Sequence, residues 1–414
     1  MGGTVKFLTK ISLTSWIFIA MAAGIAIGHF APEVGKEGRL LSTIFMRLIK
    51  SIIAPLLFAT LVHGVGSVGD IKAMGRIGVK AIVYFEIVTT AALFLGLAAA
   101  NLSRPGDGLI IKPDAREITA IKADTSLRGI LEHTFPQSVI DAMAKGEVLQ
   151  LVVFCFLFGI ACAAIGPKAQ PMVEWCKSLA EVMFKYTSYV MYVAPLGIGG
   201  AMAATVGENG LKVLTNLGQL VLTLFLALLV FVVVVLGAVT VIARIPIRRF
   251  WQHVKEPYLL AFATASSDSA LPLALRRMEK FGCPEHIVGF VLPTGYSFNL
   301  DGTTLYLSLA SLFVAQAAGV ELDLKTQIIM MLTLMLTSKG VAGVPRASLV
   351  ILSGTLATFN LPLAGIAVIL GVDEIMDMMR TSVNLLGNCL ATAVVTRWEG
   401  IDLPKEPATN LEDS

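Results

Sequence analysis

The chain has 414 residues, 56% hydrophobic and 15% charged, with a mean hydropathy of +0.78, a balance that excludes a soluble domain and points to a polytopic membrane protein. Its formal net charge of +3 is too small and too dispersed for a nucleic-acid surface, and the basic residues gather instead in short connections between apolar runs. Five cysteines, Cys155, Cys162, Cys176, Cys283 and Cys389, lie in or beside apolar segments without CxxC or His/Cys spacing, so neither a disulfide framework nor a zinc site is expected.

In chain order, span 1 covers about 11–30. It follows Lys6 and Lys10 as a signal peptide would, but it is long enough to cross a bilayer and shows no cleavage site, so it reads as a retained helix. Span 2, about 41–65, opens with Arg47 and Lys50 and carries Pro55 as an expected kink. The GVGSVG that follows, Gly64 to Gly69, matches GxGxxG in form only; no strand precedes it, and a turn is expected. Span 3, about 78–101, holds Tyr84, Thr89, Thr90 and a single acid, Glu86. Residues 102–145 read as an extramembrane loop, spans 4 and 5 as about 146–165 and 172–206, the latter interrupted at Pro195 and Gly197, and span 6 as about 211–243. Lys72, Arg76 and Lys80 before span 3, Arg244, Arg248, Arg249 and Lys255 after span 6, and Arg276, Arg277 and Lys280 beyond place those connections, and the N-terminus, in the cytoplasm.

Beyond residue 250 the pattern changes. Segments 256–281 and 325–360 contain interrupted apolar runs around small-residue and proline tips, ASSDSALP (Ala265 to Pro272) and SKGVAGVPRAS (Ser338 to Ser348). Each precedes a long helix with polar residues in mid-span: span 7 at 287–317, with PTGYSFNLDGTTLY, and span 8, Gly371 to Ala393. Interrupted segments at corresponding places in two halves are what an inverted-repeat transporter shows around a midplane site, and irregular backbone at that depth must line a cavity or be buried in protein. On span 8, Asp373, Asp377, Arg380, Thr381, Asn384 and Asn388 recur every three or four residues on one helical face. Each ionisable residue at mid-membrane costs roughly 2.5–3.5 kcal/mol to insert and usually faces a pathway. An Asp377–Arg380 pair that merely joins two helices would leave the threonine and both asparagines idle. Asn299, Asp301 and Thr303 interrupt span 7 within five residues and suit a hard cation or a transferable proton.

With these residues the chain resembles the dicarboxylate/amino acid:cation symporters, the group of bacterial glutamate transporters and animal excitatory amino acid transporters. The stretches that carry the likeness are 45–62 (FMRLIKSIIAPLLFATLV), ASSDSALP, PTGYSFNLDGTTLY, TSKGVAGVP and GVDEIMDMMRTSVNLLGN; it is nearest to the bacterial proton/glutamate symporters. The resemblance implies an all-α membrane protein of eight transmembrane helices plus two re-entrant hairpins, with inverted repeats and an elevator mechanism. Residues 1–77 and 146–206 would form a scaffold and 78–101 and 207–397 the moving part, with 102–145 an extracellular loop and 398–414 a cytoplasmic tail. It further implies a homotrimer in membrane lipid, in a bacterial inner membrane, with both termini cytoplasmic.

Carried over by position, the resemblance implies that Arg380 holds the substrate side-chain carboxylate and Asp377 its α-amino group, with Thr381, Asn384, Thr303, Ser266, Ser267, Gly343, Val344 and Ser348 supplying the rest. A guanidinium fork fits a carboxylate. The C4-dicarboxylate carriers of the family lack an acid where Asp377 stands, which favours glutamate or aspartate. For the coupling ion, Gly295, Ser297, Asn299, Asp301, Thr89 and Asn388 are the cation positions. Sodium-coupled members carry an Asp where Asn388 stands and hydroxyl groups where Val88 stands, while Glu86 and Asp268 are acids where those members are generally neutral. Because burial favours the protonated form of a carboxyl, proton coupling is expected, with sodium as the alternative and no cofactor. A channel for anions, suggested by Arg346 beside the second tip, and an embedded enzyme are the rival classes. HExxH, GxSxG and P-loop patterns are missing, and the histidines, His29, His63, His133, His253 and His286, are scattered, so the chain is not expected to be an enzyme.

Overall fold

The computed structural model describes residues 13–66, 71–109, 135–145, 148–338 and 347–404, all helix or connection with no strand among them. In order these are α1 (Leu13–Phe30), α2 (Pro32–Glu37), α3 (Arg39–Gly66), α4 (Ile71–Ser103), α5 (Val139–Lys145), α6 (Val148–Ile165), α7 (Gln170–Met191), α8 (Ala194–Asn209), α9 (Lys212–Val230) and α10 (Gly237–Ile242). The chain continues through α11 (Ile247–Thr264), α12 (Ser267–Phe281), α13 (Glu285–Phe298), α14 (Asp301–Ala317), α15 (Leu324–Thr337), α16 (Ala347–Thr358), α17 (Ala364–Leu370) and α18 (Asp373–Trp398). Among the described residues, three stretches are long and apolar enough to cross a membrane by themselves: Gly75–Ser103, Val153–Met191 and Lys212–Ile242. Ser15–Phe30 and Leu324–Thr337 are apolar but shorter.

The helices pack in two groups. In one, α8 lies along α1, α2 and α3, and α3 also packs on α6 and α7. Small residues make the α1–α8 contact: a Cβ at Gly28 would come 2.5 Å from the Ala203 carbonyl, and one at Gly199 2.9 Å from that of Ala20. Such close backbones replace the hydrophobic drive that lipid does not provide. In the other group α14 runs against α4 and α18, and α18 also packs on α11, α12 and α13. Every residue from Asp301 to Ala317 other than Gln316 is buried, which explains why this helix tolerates Asp301, Ser308 and Ser311: none meets lipid. The groups touch where α17 meets α8 and where α15 and α16 meet α6.

Several boundaries differ from the sequence reading. Span 7 is two helices, α13 and α14, broken at Asn299 (φ −128°, ψ 75°) and Leu300. Periodicity continues across this break because both halves are apolar, but the asparagine and leucine leave helical geometry to turn polar groups inward. Span 5 divides into α7 and α8, with Pro195 in the first turn of α8, where a missing N–H costs nothing. Span 6 contains a π-helical stretch, Phe231–Leu236, between α9 and α10. The start of the turn expected at 64–69 is helix instead: α3 runs on to Gly66, and 67–70 lie outside the described residues. The loop at 102–145 contains α5, and residues 110–134 likewise lie outside the described residues.

The C-terminal end does not leave the body at Trp398. Glu399 pairs with Arg76 and, at 2.7 Å, with Lys80 of α4, and Arg249 of α11 donates to the Pro404 carbonyl at 2.6 Å. This ties the base of α4 and α11 to α18.

Candidate functional site

The site grows from α18, whose polar face turns inward against α14. Arg380 is 1% exposed. Its Nη1 donates to Asp373 Oδ1 at 2.9 Å, its Nε pairs with Asp377 Oδ1 at 2.9 Å, and its guanidinium lies 4.2 Å from the centroid of the Tyr306 ring. Tyr306 in turn donates its hydroxyl to Asp373 Oδ1 at 3.1 Å. Two carboxylates and a ring face therefore fix a planar cation that would otherwise be free to rotate. One nitrogen, Nη2, is buried and has no hydrogen-bond partner among the described residues. Asp377 keeps 13% of its side chain exposed against none for Asp373, and Thr381 donates to it at 3.3 Å.

One turn further along α18, Asn384 stitches the two helices together. Its Oδ1 accepts from the backbone amides of Gly302 (2.8 Å) and Thr303 (3.2 Å), and its Nδ2 donates to Thr303 Oγ1 at 2.9 Å. Those amides open the first turn of α14 and lack helical partners, so Asn384 caps a helix that does not contain it. The cap requires close backbones: a Cβ on Gly302 would come 2.5 Å from the Arg380 carbonyl. This leaves Asn384 a single spare N–H.

A second polar cluster lies next along the same face. Asn299 Nδ2 donates to Asp301 Oδ2 and to Asn388 Oδ1, both at 3.0 Å, and Thr89 of α4 donates to Asp301 Oδ1 at 3.4 Å. Asn299, Asp301, Asn388 and Thr89 are each 1% exposed or less. Asn299 Oδ1 is buried without a hydrogen-bond partner among the described residues. Gly295 and Gly387 keep the pocket open, since a Cβ on Gly295 would sit 2.5 Å from Asn388 Oδ1 and one on Gly387 would run into Asp301 Oδ2. An oxygen-rich, dehydrated group of this kind fits a hard cation. A methyl at Gly387 would overpack this cluster.

The structure thus brings Arg380, Asp377 and Thr381 into one hydrogen-bonded group, Asn384 and Thr303 into a second one turn further along α18, and Thr89, Asn299, Asp301 and Asn388 into a third, which Gly295 lines. Ser266 caps α12 by accepting from the Ser269 amide at 3.4 Å, and the Ser267 carbonyl accepts from Tyr296 at 3.1 Å; both serines are half-buried. Ser348 is 4% exposed, its hydroxyl without a partner among the described residues. Gly343, Val344 and Arg346 lie outside the described residues, as do the side chains of Asp268 and Ser297. Glu86 is half-buried, not enclosed; its carbonyl accepts from Thr90, which reaches Met335 of α15. Span 8 is also longer than read, ending at Trp398, and begins at Asp373.

Sequence reasoning gave Tyr306 no role and placed Asp373 on the stripe without a task. The available signal was spacing: Tyr306 follows Thr303 by one turn, and Asp373 precedes Arg380 by two, so each shares the face of a residue already singled out.

The model of the sodium:dicarboxylate symporter family matches residues 13–398. The chain is 41% identical over 405 residues to a proton/sodium-glutamate symport protein of Geobacillus stearothermophilus, covering 95% of this chain and 96% of that one. It is 43% identical over 390 residues to a C4-dicarboxylate transport protein of Brucella anthropi (92% and 88%), and 41% identical over 396 residues to another from Anaeromyxobacter sp. strain K (94% and 90%).

Proposed function

Because the chain belongs to the sodium:dicarboxylate symporter family, we propose that it is a secondary active symporter that imports L-glutamate or L-aspartate together with protons, by an elevator movement. The observation that carries this reading is the guanidinium of Arg380, held rigid on three sides with Nη2 unclaimed among the described residues, beside a carboxylate, Asp377, that retains exposure. A donor for a carboxylate next to an acceptor for an ammonium is the pattern of a zwitterionic acid. A C4-dicarboxylate, named for two of the relatives, has no ammonium to offer Asp377.

Charge balance supports coupling to cations. Among the described residues these neighbouring groups hold one cation, Arg380, against Asp301, Asp373 and Asp377, so an incoming acidic amino acid adds to an existing excess of negative charge. Buried charge of one sign must be neutralised, and entry of protons or sodium with the substrate does so. Asn299 Oδ1, with Asp301, Asn388, Thr89 and Gly295, is the place for such a cation, while Glu86 and Asp268 are the proposed proton carriers.

The division of the helices supports the remaining parts. Elements α1 to α3 and α6 to α8 would be the scaffold, and α4 with α9 to α18 the moving body. Along α7, Glu174, Lys177, Glu181 and Lys185 form an exposed stripe of alternating charge at steps of three and four residues. Lipid would penalise it, whereas the same stripe on another copy would pair with it, as a homotrimer provides. The proposed membrane is the bacterial inner membrane, with the α4, α11 and tail junction on the cytoplasmic side.

The test is uptake of radiolabelled glutamate into proteoliposomes under a pH gradient with sodium rigorously absent. Accumulation is expected; if only a sodium gradient drives uptake, proton coupling falls, and if nothing is concentrated under either, the symporter reading falls. Glu86→Gln is expected to abolish proton-driven accumulation while preserving glutamate exchange, because exchange requires no net release of the proton.

A further inference from the structure

We propose that Tyr296 is a latch for hairpin 1: its phenol helps to hold the hairpin tip down on α13, and removing its hydroxyl lets the tip lift more readily on the side proposed to be cytoplasmic. The inference rests on the transporter reading above for its purpose, though not for its mechanics.

The tip is weakly built. The first arm, α11, ends at Ala265, a non-glycine residue with φ +48°, where a Cβ crowds the backbone and surrounding contacts must hold the strain. Ser266 is extended, and α12 begins at Ser267 with Pro272 inside it, so the Asp268 carbonyl has no N–H to receive from four residues on. Phe262, Ala263, Thr264 and Ser269 around the tip are exposed. Below the tip the arms are better fixed, by the Arg277–Glu256 pair and by packing of α11 and α12 on α18. Compliance is therefore concentrated at the tip.

Tyr296 reaches this tip from α13. It is 6% exposed, and its hydroxyl donates to the Ser267 carbonyl at 3.1 Å. A phenol buried to that extent stays where its hydroxyl is partnered, so this bond couples the ring to the tip. The same α13 turn carries Gly295, whose Cα faces Asn388 in the cation cluster, and the helix breaks at Asn299. A change in the cluster's occupancy that shifts this turn would act on the phenol directly. Tyr296 is thus a positioning residue for the gate, with no substrate contact assigned to it.

Hydrogen–deuterium exchange on the full-length protein in lipid nanodiscs tests this with Tyr296→Phe, which keeps the ring and removes the donor. Amides of 262–272 are expected to exchange about fivefold faster, the loss of one net hydrogen bond, with α14, α18 and the melting temperature unchanged. Saturating glutamate should restore part of the protection. Wild-type exchange at 262–272 in the variant overturns the latch, and so does an equal rise throughout α13 and α14, which would mark a merely structural tyrosine. Because exchange is read without transport, failure of the substrate assignment would leave this result standing, and normal glutamate uptake would not rescue the latch.

Discussion

Arg380→Ala is expected to abolish uptake of glutamate and aspartate. The substitution removes the spare donor at Nη2, but that is the smaller part of its effect. Asp373 and Asp377 both lean on the guanidinium at 2.9 Å, and removing one partner of a buried ion pair costs about 3–5 kcal/mol because the other charge stays behind. The alanine variant should therefore lose substrate binding by two to four orders of magnitude, roughly what that energy corresponds to, and also melt at a lower temperature. Arg380→Lys separates the two losses. A lysine keeps the charge that Asp373 and Asp377 require, yet it has no planar fork and stacks less well on Tyr306, so fold stability should recover while acidic substrate uptake stays low. Binding measured by calorimetry alongside thermal melting checks both. Retained glutamate transport in the alanine variant would contradict the assignment of Arg380.

Asp377→Asn should split the substrate classes. A charge-assisted hydrogen bond to an ammonium contributes about 1.5–3 kcal/mol, so affinity for glutamate or aspartate should fall roughly ten- to a hundredfold. Succinate and malate lose nothing by this change. They stand to gain, because an asparagine releases Arg380 Nε and leaves it beside the unclaimed Nη2, two donors in the geometry a carboxylate accepts bidentately. Competition of succinate against labelled glutamate, in wild type and variant, measures the ratio. An equal loss for both classes would mean that Asp377 serves only to hold Arg380, and the choice of an amino acid over a C4-dicarboxylate would then have no residue to rest on.

The legible parts of the site were those written as helical spacing. Asp373, Asp377, Arg380, Thr381, Asn384 and Asn388 could be placed on one face from position alone, since an α-helix turns about every 3.6 residues whatever surrounds it, and the structure puts them there. Less was legible in span 7. Asn299 and Asp301 are two residues apart and on a continuous helix would point in different directions. They meet, at 3.0 Å, because the backbone leaves helical geometry between them, and an apolar run does not reveal where it breaks. The split of span 5 was half visible, since Pro195 marked an interruption without saying on which side the new helix would start.

Composition and periodicity determined that this chain carries helices apolar enough to cross a membrane, that small residues and prolines interrupt two apolar segments of its C-terminal half, and that one helix bears a polar stripe too costly to face lipid; these are properties of local order, and hydrophobic cost is set residue by residue. What only the tertiary structure decided is partnership: that Asn384 caps α14 from 81 residues away along the chain, that Tyr306 lies on Arg380, that Thr89 of α4 reaches Asp301, and that Asp373 is enclosed while Asp377 and Glu86 keep some exposure. Those facts depend on which helix lies against which, and glycines such as Gly302 and Gly387 allow the approach by what they lack, a property that no spacing rule assigns to a particular neighbour.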